Sequence, residues 1–93
     1  MRIGYFADGP WSHRAFELLI ADNMIEIAFI VPRADSSDKV LYNFSLIHNI
    51  PYHENCKINS EEFYQIARSY SCDLFVSMSF NQIFRPRITN LPP

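Results

Sequence analysis

At 93 residues the chain has room for one domain, and a chain of this length buries only roughly 60 to 65% of its unfolded surface. Its 48% apolar and 15% aromatic content is that of an ordinary globular protein with a thin core. A formal charge of -2 excludes the strong basic footprint that a nucleic-acid binder carries.

The chain enters a strand directly at Arg2, Ile3, Gly4 and Tyr5, with no basic region followed by a long apolar segment. The expectation is therefore a cytoplasmic protein with neither signal peptide nor membrane span. Residues 3–7 form the first strand candidate, and residues 7–12 contain Gly9 and Pro10 as the turn out of it. Ser12 is placed to cap a helix in which Phe16, Leu18, Leu19 and Ile20 recur between charged residues, with Asn23 closing it. Residues 26–31 form a second buried strand that Pro32 ends, because proline has no donor for the ladder.

Ser37 is expected to cap a second helix with Val40, Leu41, Phe44 and Ile47 on one stripe. Residues 50–53 contain Pro51 and read as a short edge strand. Asn59 and Glu62 have the spacing of a capping box, and Phe63, Ile66, Ala67 and Tyr70 follow at helical spacing. Leu74, Phe75 and Val76 are apolar in succession, which predicts a parallel strand covered on both faces. Ser77, Ser79, Asn81 and Gln82 then bring hydrogen-bonding groups to its carboxyl end, where open α/β sheets place their ligands. Prolines in residues 85–93 allow at most a short helical turn, and without a further strand the one at 74–76 presents a bare edge.

Alternating strands and helices predict an α/β fold: an open, mostly parallel, Rossmann-like sheet with helices on both faces, truncated before its later strands. No glycine-rich dinucleotide fingerprint, phosphate-binding loop or receiver-type acidic pair is present; Gly9 and Asp8 stand alone. Cys56 and Cys72 match no metal spacing and read as reduced, partly buried thiols, so no metal site is expected. His13, His48 and His53 have no partner at sensible spacing and read as surface or capping residues. Glu61 and Glu62 read as helix-start acids.

Residues 1–8, the strand at 73–76, the loop at 77–84 and the exit at 88–93 resemble the amino-terminal half of folate-dependent formyltransferases. The likeness spans the whole chain through several weak matches in order. It is closest to the branch that formylates nucleotide-linked amino sugars, and more distant from those acting on methionyl-tRNA or glycinamide ribonucleotide. The resemblance implies that residues 1–93 are an incomplete catalytic domain that moves a formyl group from 10-formyltetrahydrofolate to a primary amine.

By the same resemblance, main-chain groups of Gln82 and Phe84 meet the pterin edge, with Ile83 as an apolar wall. Asp8, Trp11 and Ser12 fall at the acceptor site, with Ser79 and Phe80 across the cleft. From the residues alone, Trp11 equally covers a sheet edge, Ser12 equally caps its helix, and Ile83 and Phe84 equally pack their loop down. The family's catalytic asparagine, histidine and aspartate would follow Pro93, so no catalytic residue is assigned within the chain. The implied partners are folate and an amino sugar nucleotide, with a homodimer compatible with the full-length protein. A non-catalytic nucleotide- or folate-binding module, a strand-pairing interaction module and a formyltransferase acting on methionyl-tRNA are the alternatives.

Overall fold

The computed structural model describes residues 1–35 and 38–92. Its elements run β1 (Arg2–Ala7), α1 (Pro10–Ile20), β2 (Glu26–Val31), α2 (Lys39–His48), α3 (Glu61–Ser69), β3 (Leu74–Met78) and α4 (Pro86–Thr89). The strands form one parallel sheet in the order β2-β1-β3, which makes the fold α/β as expected. Among the described residues no helix is long and apolar enough to cross a membrane.

Alternation along β1 divides the core. Ile3, Tyr5 and Ala7 pack in one cluster with Phe16 of α1 and Leu41 of α2. Phe6 points to the opposite face, with Phe63 and Ala67 of α3 and Ile88 of α4. Helices thus cover both faces of the sheet. Phe6 is fully buried and meets five rings edge-on, those of Phe29, Phe63, Phe75, Phe80 and Phe84, at centroid distances of 4.9 to 5.9 Å.

The register of β1 against β2 slips once, from Ile3 opposite Ile27 to Gly4 opposite Phe29. Ala28 is the extra residue, and the bulge turns Ala28 and Phe29 into the cluster around Phe6. Gly4 is what admits that ring: a Cβ there would lie 2.4 Å from Phe29 Cζ. Phe29 is fully buried and ringed by Phe6, Phe63, Tyr70 and Phe75, so it has no space to retreat. Gly4→Ala is expected to cost about 1–3 kcal/mol through overpacking. The measurement is the urea midpoint at unchanged slope, and an unmoved midpoint would mean the ring has room after all.

Several local expectations are corrected. α1 begins at Pro10 with Gly9 (φ 83°) as its cap, three residues before the expected cap Ser12. Pro10 sets this start because its fixed φ suits the first helical position and its missing N–H is no loss there. Ser12 lies inside the helix, buried, with its hydroxyl donating to Gly9 O at 2.6 Å. The helix ends at Ile20 with Ala21 as its cap, so Asn23 falls in the following turn. Ser37 lies outside the described residues; the cap of α2 is Asp38, which accepts from Val40 N and Leu41 N. The cap of α3 is Ser60, not Asn59, and Ser60 Oγ accepts from Phe63 N at 3.1 Å.

Residues 50–53 lie beside β2, but instead of the expected edge strand they contribute a single bridge at Tyr52. Ile30 N donates to Pro51 O and His53 N to Ile30 O, both at 2.9 Å. β3 is covered only in part: Phe75 packs on one cluster and Val76 and Met78 on the other, but Leu74 is 46% exposed and no residue of the strand is fully buried. The reason is its place at the sheet's edge, where it pairs with β1 alone.

Candidate functional site

The carboxyl ends of all three strands meet on one rim of the sheet. Asp8 N donates to Met78 O at 3.2 Å, which ties the exit of β1 to the end of β3. Arg33, just past β2, donates through Nε to Ser79 O at 2.9 Å, and Asn81 Nδ2 reaches Asp35 Oδ1 at 3.4 Å. Ser79 is left-handed (φ 56°), a conformation uncommon outside glycine, and it swings the chain out of β3. Phe80 and Phe84 then fold back onto Phe6 at 5.6 and 4.9 Å. This aromatic seat decides where the loop between them lies.

Within that loop Gln82 turns its side chain inward. Its Oε1 accepts from Ile58 N at 3.0 Å and its Nε2 donates to Cys56 O at 2.8 Å. Asn59 adds two bonds, from Nδ2 to Ile83 O at 2.7 Å and from Arg85 N to Oδ1 at 3.0 Å. Arg87 pairs with Glu61, and its guanidinium stands 3.9 Å from the Tyr64 ring centroid. The start of α3 is therefore a dock for residues 82–87. Among the described residues no hydrogen bond engages the main-chain N–H or C=O of Gln82 or Phe84. Ile83 is 83% exposed between them. Beside β3 a cleft of about 350 Å³ opens, lined by Leu74, Phe75, Ser77, Phe84, Thr89 and Pro92.

On the β1 side, Trp11 is 77% exposed and Asp8 half-buried. Asp8 Oδ2 is the one buried side-chain oxygen without a donor among the described residues. Ser12 lends its carbonyl to the hydroxyl of Tyr5 at 2.8 Å, and burial pushes the Tyr5 pKa up to about 12, keeping that proton in place. The strand ends thus tie Asp8 to the end of β3, next to Ser79, while Trp11 projects away from the packed core and Ser12 is enclosed in it.

Sequence reasoning missed three features. His13 does have a partner: its Nε2 lies 2.8 Å from Asp38 Oδ2, and Asp38 also accepts from Gly9 N at 2.9 Å. Burial raises the Asp38 pKa, but the hydrogen bonds from His13, Gly9 and Leu41, together with the His13 charge, more than reverse this and hold it below the ordinary carboxylate value. The two residues are 25 apart and share no element, so no periodicity links them. The second is the dock at Asn59, hidden by the better-known capping role of its residue type. His53, also given no partner by its spacing, bonds the Tyr70 hydroxyl at 2.8 Å, and burial lowers its pKa. Cys56 and Cys72 are both free, and burial raises both thiol pKa values, helped at Cys56 by the charge of Glu62.

No protein-family model matches the sequence, and no curated protein matches it. A solved structure does match: the phosphoribosylglycinamide formyltransferase from Bacillus halodurans, with a TM-score of 0.67 and 20% sequence identity. The match covers 98% of this chain and 51% of that one, so the chain spans about half the length of the enzyme it resembles. The fold of this chain is therefore that of a formyltransferase, over about half of such an enzyme's length.

Proposed function

We propose that this chain is the amino-terminal, folate-binding part of the catalytic domain of a 10-formyltetrahydrofolate-dependent N-formyltransferase. The observation that carries this reading is the 82–84 loop: it is held from behind by side chains while, among the described residues, the main chain of Gln82 and Phe84 is left unpaired beside exposed Ile83. A flat heterocycle needs this combination, an apolar wall with a few fixed donors and acceptors, and backbone supplies them with little entropy left to lose. The fold it shares with a solved formyltransferase supports the same reading.

In the proposed reaction an amine nitrogen attacks the formyl carbon, the bond from that carbon to N10 of the folate breaks, and the proton lost by the amine ends on N10. The acceptor is a nucleotide-linked amino sugar, met by Asp8, Trp11, Ser79 and Phe80, with Ser12 buried behind them. The unpaired Asp8 oxygen supports an amine on this side, since a buried acceptor without a donor is costly and an N–H would relieve it. Among these residues Ser12 contributes as the buried support of the turn. The charge of -2 disfavours methionyl-tRNA as the acceptor. The asparagine, histidine and aspartate that complete the chemistry in this reading would follow residue 93. The unpaired outer edge of β3 is where the remaining sheet would attach.

Isothermal titration of the chain with 5-formyltetrahydrofolate, a stable relative of the donor, tests the reading. Saturable one-to-one binding is expected, with negligible formylation of any amino sugar nucleotide by residues 1–93 alone. Absence of saturable binding would remove the folate assignment. Measurable turnover would show that the catalytic centre lies within the chain. Trp11 is the single tryptophan, so quenching of its emission by a nucleoside diphosphate reports the acceptor side separately.

A further inference from the structure

We infer that Asn59 is a positioning residue that aims the main chain of Phe84 into the folate slot, an inference resting on the folate-binding reading above. Asn59 stands one residue before the cap of α3 and takes no part in that cap, which Ser60 provides. Its exposed side chain instead crosses to a segment 24 to 26 residues away. There the amide donates to Ile83 O at 2.7 Å and accepts from Arg85 N at 3.0 Å.

Those two atoms flank Phe84. Ile83 O shares a peptide plane with the N–H of Phe84, and Arg85 N shares the next plane with its C=O. Neither peptide is cis. In a trans peptide the N–H and C=O point in opposite directions. Drawing Ile83 O toward Asn59 therefore turns the Phe84 N–H away from α3, and drawing Arg85 N toward Asn59 turns the Phe84 C=O away as well. One side chain thus orients both a donor and an acceptor at a residue it does not touch through either group. Only a side chain with a donor and an acceptor on one short planar group can do this; a carboxylate accepts from Arg85 N but repels Ile83 O. Gln82 performs the companion task one residue earlier, its amide spanning Ile58 N and Cys56 O.

The test is titration of 5-formyltetrahydrofolate into the wild-type chain, Asn59→Ala, Asn59→Asp and Ser60→Ala, with hydrogen exchange at the Arg85 amide followed in each. Asn59→Ala is expected to bind about tenfold more weakly, the effect of losing two ordinary hydrogen bonds, and Asn59→Asp at least as weakly. The Arg85 amide should exchange faster in Asn59→Ala and stay protected in Asn59→Asp, which retains its acceptor. Ser60→Ala, which removes only the cap, should lower the melting temperature while binding folate within about twofold of wild type. If the wild-type chain binds and both Asn59 variants match it within twofold, the positioning role is overturned and the folate reading stands. If Ser60→Ala weakens binding as much as Asn59→Ala, the effect belongs to helix stability and the role is likewise overturned. If the wild-type chain does not bind, both fall together.

Discussion

Phe6→Ala is expected to cost about 3–5 kcal/mol, the usual range for deleting a buried aromatic ring from a core. A 93-residue domain holds roughly 5–14 kcal/mol in total, so the variant should melt roughly 12–40 °C lower than wild type. The upper part of the range is expected because Phe6 meets five rings edge-on, and each well-placed aromatic pair adds about 0.5–1.5 kcal/mol beyond the area it buries. Two of those rings, Phe80 and Phe84, bracket the candidate folate loop. Loss of Phe6 should therefore loosen that loop even where the sheet survives. Urea denaturation read by circular dichroism measures the first effect, and chymotryptic cleavage at the bond following Phe80 measures the second. A loss under about 2 kcal/mol would show that the cavity collapses onto its neighbours and that the cluster is not the keystone its geometry implies.

Asp38→Ala is expected to be nearly as damaging, at about 3 kcal/mol. The side chain is only 7% exposed and receives Gly9 N, Val40 N, Leu41 N and His13 Nε2. Loss of the helix cap accounts for about 1 kcal/mol, and stranding His13 and the Gly9 amide without their charged acceptor accounts for the rest. The same carboxylate gives this contribution a pH signature. Its pKa in the folded chain lies below the unfolded value of about 3.9. The folded state therefore binds the proton less readily than the unfolded one. The stabilisation is fully present above about pH 4 and is lost as pH falls through the folded pKa. Melting temperatures from pH 6 to pH 2 should show wild type and Asp38→Ala converging below about pH 4. A constant gap across that range would mean that the charge of Asp38 contributes nothing and only its shape matters.

The parts of the fold that could be read from residue order are those set by local pattern. The strands at 2–7, 26–31 and 74–78 are compact apolar runs, and the spacing of Phe63, Ile66 and Ala67 permits only a helix. What could not be read is decided by competition between distant groups. Asn59 and Ser60 are both good caps, and Ser60 takes the role because Asn59 is drawn across to Ile83 and Arg85. The bulge at Ala28 is silent because residues 27–31 are apolar throughout, so either register satisfies the pattern. Leu74 was expected inside because it is apolar, yet burial also requires a neighbour, and β3 has one on a single side. At the candidate site, the break from apolar to amide residues after β3 located the loop. It did not show that Gln82 faces inward and offers only its backbone to the rim.

The central place of β1 also sets the order in which this molecule can form. β1 precedes both of its neighbours in the chain, and one of them, β3, follows about seventy residues later; Arg2 and Asp73, which exchange hydrogen bonds at the foot of that pairing, are 71 positions apart. Joining them requires closing nearly the whole chain into a loop before any ladder bond repays the entropy. Until residue 78 has been made, one edge of the apolar strand Ile3 to Ala7 stays open, a template for other chains in a crowded ribosome exit. The sheet therefore waits on β3 in a way that one built from consecutive hairpins does not.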